Sequence, residues 1–181
     1  MEQPTADAVI NKAIGLKEDT GSIDVIKLAD NYGIDVFPDS KHTNTDDEFH
    51  ACIVYDKETD KYKIFVNPDQ PLERQRFSIA HELAHFILHN SKLKEKGILN
   101  RNPLDIPNRK EDSQADSLAA EILMPEKFVN EFMQEKEISK ANVVKQSIVS
   151  KISDYFRVSR TVAAIRLRKL NYYVPFYSFA A

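Results

Sequence analysis

Phe77-Ser78-Ile79-Ala80-His81-Glu82-Leu83-Ala84-His85-Phe86-Ile87-Leu88-His89 is the stretch on which the reading of this chain turns. Its apolar residues recur with helical period. Two histidines four apart on a helix project from one face, close enough to share one Zn²⁺. A glutamate between them can hold and deprotonate a water at that metal, the pairing that usually serves peptide-bond hydrolysis. The plainer alternative is two surface histidines beside a solvated glutamate. Leu83, Ala84, Phe86, Ile87 and Leu88 argue against it, because they make the helix apolar around most of its circumference and so predict burial. Buried His and Glu need partners, which a metal and its water provide. Zn²⁺ is therefore the expected cofactor, with His81 and His85 as ligands and Glu82 as the catalytic base. No organic cofactor is expected.

The rest of the chain bounds that reading. Its 181 residues suit one main domain, and 42% hydrophobic with 29% charged residues is a globular mixture. No apolar run approaches a membrane span, and the N-terminus lacks the basic start and apolar core of a signal peptide. The single cysteine, Cys52, excludes an internal disulfide and suits a reducing cytosol. Within Ala51-Cys-Ile-Val-Tyr55 it reads as a small buried hydrophobe rather than a nucleophile. Charge is unevenly spread: residues 1–60 carry 14 acids and 5 bases, residues 139–171 carry 1 acid and 8 bases. Such asymmetry serves either a partner surface or attraction between the two ends of the fold.

Outward from the histidine helix, residues 4–18 read as an opening helix. A second runs from Ile23 to Asn31, with Ser22 as N-cap and Gly33 as the C′ residue. Ile34–Phe37 alternates as a short strand. His50–Tyr55 and Tyr62–Val66, joined by a polar turn, form a β-hairpin signal. The histidine helix spans about Leu72 to Asn90, and residues 91–109 read as a loop. Helices are expected over Arg109–Leu123, Glu126–Lys136, Ala141–Phe156 and Ser159–Leu170, Pro125 ending one and opening the next.

A catalytic zinc needs a third protein ligand and an open position. The extended pattern HExxHxxGxxH is excluded, since Leu88 and Ser91 stand at its glycine and third histidine. His89 lies two turns from His81, too far along the axis to join the same ion. The carboxylates opening the next helix are the alternative. Asp112 and Asp116 are four apart on one face; one can bind the metal while the other orients a ligand histidine. Solvated acids in a first helical turn are the competing, ordinary explanation.

Arg76-Phe-Ser-Ile-Ala-His-Glu-Leu-Ala-His85, followed by Ala115-Asp-Ser-Leu-Ala-Ala-Glu-Ile-Leu-Met-Pro125, resembles the ImmA/IrrE family of metallopeptidases. The second block carries most of the resemblance, because it has no chemical reason of its own to accompany a zinc helix. The resemblance extends over roughly residues 22–170. It implies an α+β fold: a mainly helical zincin-like domain, residues 1–138, with a small antiparallel sheet, and a C-terminal helical segment, residues 139–181, packed on the same body. It implies His81 and His85 as metal ligands and Glu82 as general base. The family's third ligand is usually a glutamate, thirteen residues before the proline. Here that position is Asp112, a departure that leaves Glu111 as the alternative third ligand, while Asp116 stands where a group steadies a ligand histidine. The resemblance further implies a regulatory protein as substrate, often a helix-turn-helix repressor of mobile elements or prophages, or a toxin-like pairing with a DNA-binding antitoxin.

Residues 148–170 themselves resemble a helix-turn-helix, turning at Arg157-Val-Ser159 with Arg160, Arg166, Arg168 and Lys169 on the second helix. Ala163, Ala164, Ile165, Leu167 and Leu170 leave little polar face for reading bases. Direct DNA binding is therefore not expected, and a structural or partner-facing role is. The overall expectation is a cytoplasmic zinc endopeptidase acting on a helix-turn-helix regulator or antitoxin, with no membrane association. The alternative is a non-catalytic, toxin-like binding partner of a DNA-binding protein that retains a structural zinc.

Overall fold

The computed structural model describes residues 4–39, 50–96 and 109–176. Helix α1 (Ala6–Ile14) is shorter than its apolar pattern suggests; Thr5 caps it, its hydroxyl accepting from the Ala8 N–H at 3.2 Å. The chain then turns back through Lys17, which bridges antiparallel to Ile23. Helix α2 (Val25–Asp30) is capped by Asp24, whose carboxylate accepts from the Lys27 N–H at 2.9 Å. Ser22 is thus not the cap. It is buried, and its hydroxyl donates to Glu18. An ionised cap facing the positive helix terminus holds that end better than a hydroxyl. Gly33 takes the left-handed conformation (φ 69°) that closes this turn, two residues past the capping Asn31.

Strands β1 (Ile34–Pro38), β2 (Ala51–Asp56) and β3 (Lys61–Val66) form one sheet in the order β1-β3-β2. The hairpin is present, pairing Ala51 with Val66 and Asp56 with Lys61. The sheet as a whole is mixed rather than antiparallel, because β1 adds to β3 in parallel, Ile34 opposite Tyr62. The connection from β1 to β2 leaves one strand position vacant, and β3 returns through it. Ile34, Ile53 and Ile64 are fully buried on the sheet, each contributing roughly 1.5–3 kcal/mol on leaving water.

Helix α3 (Leu72–Lys96) packs on β2 and β3. Every residue from Ile79 to Ile87 is buried, as an apolar circumference requires. The helix runs one to two turns past its expected end, but with a break at His89 (φ −131°, ψ 23°). Beyond that break Tyr62 donates a hydrogen bond to the Asn90 side chain. The loop expected over residues 91–109 falls mostly outside the described residues.

Helices α4 (Arg109–Leu123), α5 (Glu126–Glu135), α6 (Gln146–Phe156) and α7 (Arg160–Lys169) complete the body. Helix α6 starts five residues later than its pattern suggests. Val144 is drawn instead into an extended bond with the chain's end, its N–H donating to the Tyr173 carbonyl at 2.9 Å. Arg157 (φ 51°) closes α6, and Ser159 caps α7. The most extensive helix pair is α3 with α4.

Candidate metal centre

Helix α3 carries His81, Glu82 and His85 inward, each less than a tenth exposed. Nε2 of His85 lies 3.0 Å from Nε2 of His81, and their ring centroids are 4.6 Å apart. Helix α4 brings its first turn against them. Asp112 Oδ1 stands 3.4 Å from His85 Nε2, and Asp116 Oδ1 accepts from His81 Nδ1 at 2.8 Å. The Asp116 contact fixes the His81 tautomer: the proton sits on Nδ1 and the Nε2 lone pair is left pointing at His85 and Asp112.

Among the described residues, the group whose donor atoms all lie within 4.8 Å of one another is His81, His85 and Asp112. Glu111, adjacent to Asp112, does not join it. Tetrahedral zinc with bonds of 2.0–2.1 Å separates neighbouring donor atoms by roughly 3.3 Å. Two of the three separations, 3.0 Å and 3.4 Å, bracket that edge and the third lies within 4.8 Å, so two imidazole nitrogens and one carboxylate oxygen fit the ion in number and type. Helices α3 and α4 pack against each other, and Ala80 and Ala84 on α3 and Ala115 and Ala119 on α4 are small and fully buried. Asp116 is 58% exposed and Asp112 28%, whereas both histidines are near 10%. The site therefore opens along the α4 side.

Electrostatics keep the cluster ready for a cation. Burial, and then the neighbouring His81, push the His85 imidazole down to about 4. At neutral pH it is uncharged and keeps a lone pair for a metal. Glu82 lies close enough to β2 that its charge, after burial itself, helps push the Cys52 thiol up to about 12. Cys52 stays protonated, in keeping with its reading as a buried hydrophobe. His89 lies beyond His85, its ring tilted by 50° at 5.5 Å between centroids, outside the donor cluster.

Two neighbours were not singled out from sequence. Phe77, one turn before His81, sits 6.4 Å from that ring and walls the site's near end. Its signal was present, since 77, 81 and 85 repeat every four residues. The approach of Cys52 to Glu82 had no signal, because strand-to-helix contacts are nonlocal.

The family model of the IrrE N-terminal-like domain, peptidase family M78, matches residues 29–168. The chain belongs to this family. It is 34% identical to Metallopeptidase ImmA of Bacillus subtilis (strain 168) over 82 residues, 45% of this chain and 46% of that protein. This chain thus spans about half the length of the curated relative it matches. A solved structure titled Mycobacterium tuberculosis transcriptional regulator superposes with a TM-score of 0.56 at 18% identity. That likeness covers 90% of this chain and 46% of the other, and it speaks to the fold alone. The matched span of the family runs from α2 into α7, so the C-terminal helices lie inside the family unit.

Proposed function

We propose that this chain is a zinc-dependent endopeptidase, with His81, His85 and Asp112 as metal ligands, Glu82 as catalytic base and Asp116 as the group that orients His81. The observation that carries the reading is the meeting of two histidine nitrogens and one Asp112 oxygen within 4.8 Å beside a buried glutamate. When bound, a zinc ion supplies Lewis acidity toward the scissile carbonyl and makes water easier to deprotonate. The Glu82 carboxylate takes a proton from the attacking water and delivers it to the leaving amine nitrogen. Asp116 holds the His81 ring through Nδ1–H, and the apolar shell of α3 keeps bulk water from competing for the base. Strand β2 is a sheet edge packed against α3, so an extended substrate segment can pair with it by strand addition.

The substrate class follows the family: a helix-turn-helix repressor or antitoxin. The basic residues of α7 are largely engaged within the fold, which supports a structural role for this segment over DNA readout. Arg166 is buried and donates to the Met124 carbonyl at 3.0 Å and to Glu121 at 3.1 Å. Arg168 donates to the Val174 and Pro175 carbonyls, and Lys169 to Ser117 Oγ. No helix among the described residues is long and apolar enough to cross a membrane; with the buried free thiol of Cys52, this supports a cytoplasmic setting.

The test is cleavage of a candidate helix-turn-helix repressor by wild type and by Glu82→Gln. Wild type is expected to cut it, and the variant to be slower by about 10²–10⁴-fold with metal retained. If both leave a docked repressor intact while holding zinc, the protease reading fails and the non-catalytic partner reading takes its place.

A further inference from the structure

His89 takes no part in the donor cluster, yet it is the third histidine at four-residue spacing on α3, after His81 and His85. The two ligand histidines differ in what stands behind them. Asp116 accepts from His81 Nδ1 at 2.8 Å. His85 Nδ1 is buried and has no hydrogen-bond partner among the described residues, and the same holds for His89 Nε2. The rings that carry these two nitrogens are neighbours, 5.5 Å apart between centroids and tilted by 50°. A buried ring nitrogen left unpaired gives up its bonds to water and gets nothing in return. Each of these two nitrogens can supply what the other lacks.

The backbone brings them together. Helical dihedrals hold up to Leu88, so residue 89 lies one turn beyond His85, and helical side chains lean toward the preceding turn. The dihedrals break at His89 itself, and Tyr62 anchors the chain beside that break: its ring packs edge-on against Phe86 at 4.8 Å and its hydroxyl donates to the Asn90 side chain. An N–H···N bond of about 3 Å between two imidazoles puts their centroids roughly 5 Å apart. The observed separation is close to that, so pairing asks for re-aimed rings rather than a displaced helix.

A histidine also suits both states of His85. Without metal, Nε2 of His85 faces Nε2 of His81 at 3.0 Å. His81 carries its proton on Nδ1, so a bond between them needs the His85 proton on Nε2. His85 Nδ1 is then an acceptor, and His89 Nε2–H donates to it. With a metal on His85 Nε2, the His85 proton sits on Nδ1 and His89 Nε2 accepts from it. Imidazole fills either role, whereas an ionised carboxylate only accepts.

We propose that His89 is the positioning residue of His85: its Nε2 pairs with His85 Nδ1 and holds that ring with Nε2 turned to the metal, as Asp116 holds His81. The inference rests on the reading of His81, His85 and Asp112 as zinc ligands. His89 acts through His85 and touches neither metal nor substrate.

Nitrogen-15 NMR of the zinc-loaded full chain tests it. The expected signature is a scalar coupling between His85 Nδ1 and His89 Nε2 across the hydrogen bond, with the His85 Nδ1 proton protected from exchange. His89→Leu should remove both signals and weaken zinc binding about tenfold or more in chelator competition. His89→Gln, whose side-chain carbonyl can accept, should recover part of that affinity. A His85 Nδ1 proton coupled to no nitrogen would overturn the proposal, as would unchanged zinc affinity in His89→Leu. Two zinc ions per wild-type chain and one in His89→Leu would overturn it in favour of a ligand role for His89. A chain that binds no zinc would refute the metal reading instead; the same coupling sought in the metal-free chain, with His89 as donor, then decides whether the two rings pair, and its absence would sink the pairing as well.

Discussion

Asp116 lies outside the cluster of His81, His85 and Asp112, yet its 2.8 Å bond to His81 Nδ1 leaves Nε2 as the ring nitrogen that faces His85. Replacing it by asparagine should lower zinc affinity about 10–100-fold in chelator competition, with the fold intact. Asp112→Asn should cost at least as much, while Glu111→Gln should leave affinity near wild type; the reverse order would make Glu111 the ligand. His85 yields a pH prediction for the metal-free protein. Burial and His81 hold it near 4, below its ordinary 6.5, which it regains on unfolding. Between those values the unfolded chain binds a proton that the folded chain refuses. Stability should therefore fall as pH drops from about 6.5 to about 4, by on the order of 3 kcal/mol. Urea midpoints across this window read the loss, and His85→Gln should flatten it.

At the scale of elements, the turn between α1 and α2 is held by close approach. Gly21 has φ 95°, and a Cβ built there would lie 2.2 Å from the Tyr155 ring on α6. Lys17 lies over the rings of Phe128 and Tyr155 in the same neighbourhood, at 4.4 Å and 5.8 Å. Gly21→Ala meets both backbone strain and a ring that the core holds in place. It should destabilise by more than about 1 kcal/mol in chemical denaturation. Unchanged stability would mean that this turn can move off α6 freely. The same junction carries Arg76, buried on the first turns of α3, which donates to the Ile23 carbonyl at 2.8 Å and the Arg157 carbonyl at 3.3 Å. One side chain thereby ties the N-terminal turn and the end of α6 to the helix bearing the histidines.

At the scale of the molecule, the C-terminal helices are fastened to α4 by Arg166. Arg166→Ala leaves the buried Met124 carbonyl without its donor and removes the partner of the half-exposed Glu121, at a cost of about 1–3 kcal/mol. We expect residues 1–138 and 139–181 to unfold together in one calorimetric transition, lowered but not split by this variant; two resolved transitions would refute a single body. The sequence by itself determined what rests on local period and side-chain chemistry. The helix of His81 and His85 was legible because its apolar circumference and four-residue spacing are properties of one segment. Helix α4 was legible for the same reason, to the residue at both ends. The parallel docking of β1, the late start of α6 behind the Val144–Tyr173 bond, and the capture of the α7 arginines depend on groups far apart in the chain, whose meeting no local pattern encodes. Which of the carboxylates opening α4, Glu111 or Asp112, lies against the histidines belongs there too. Both carboxylates open α4, and only the packing of α4 on α3 turns the Asp112 oxygen toward the histidine nitrogens, because one residue along a helix is a rotation of about 100°.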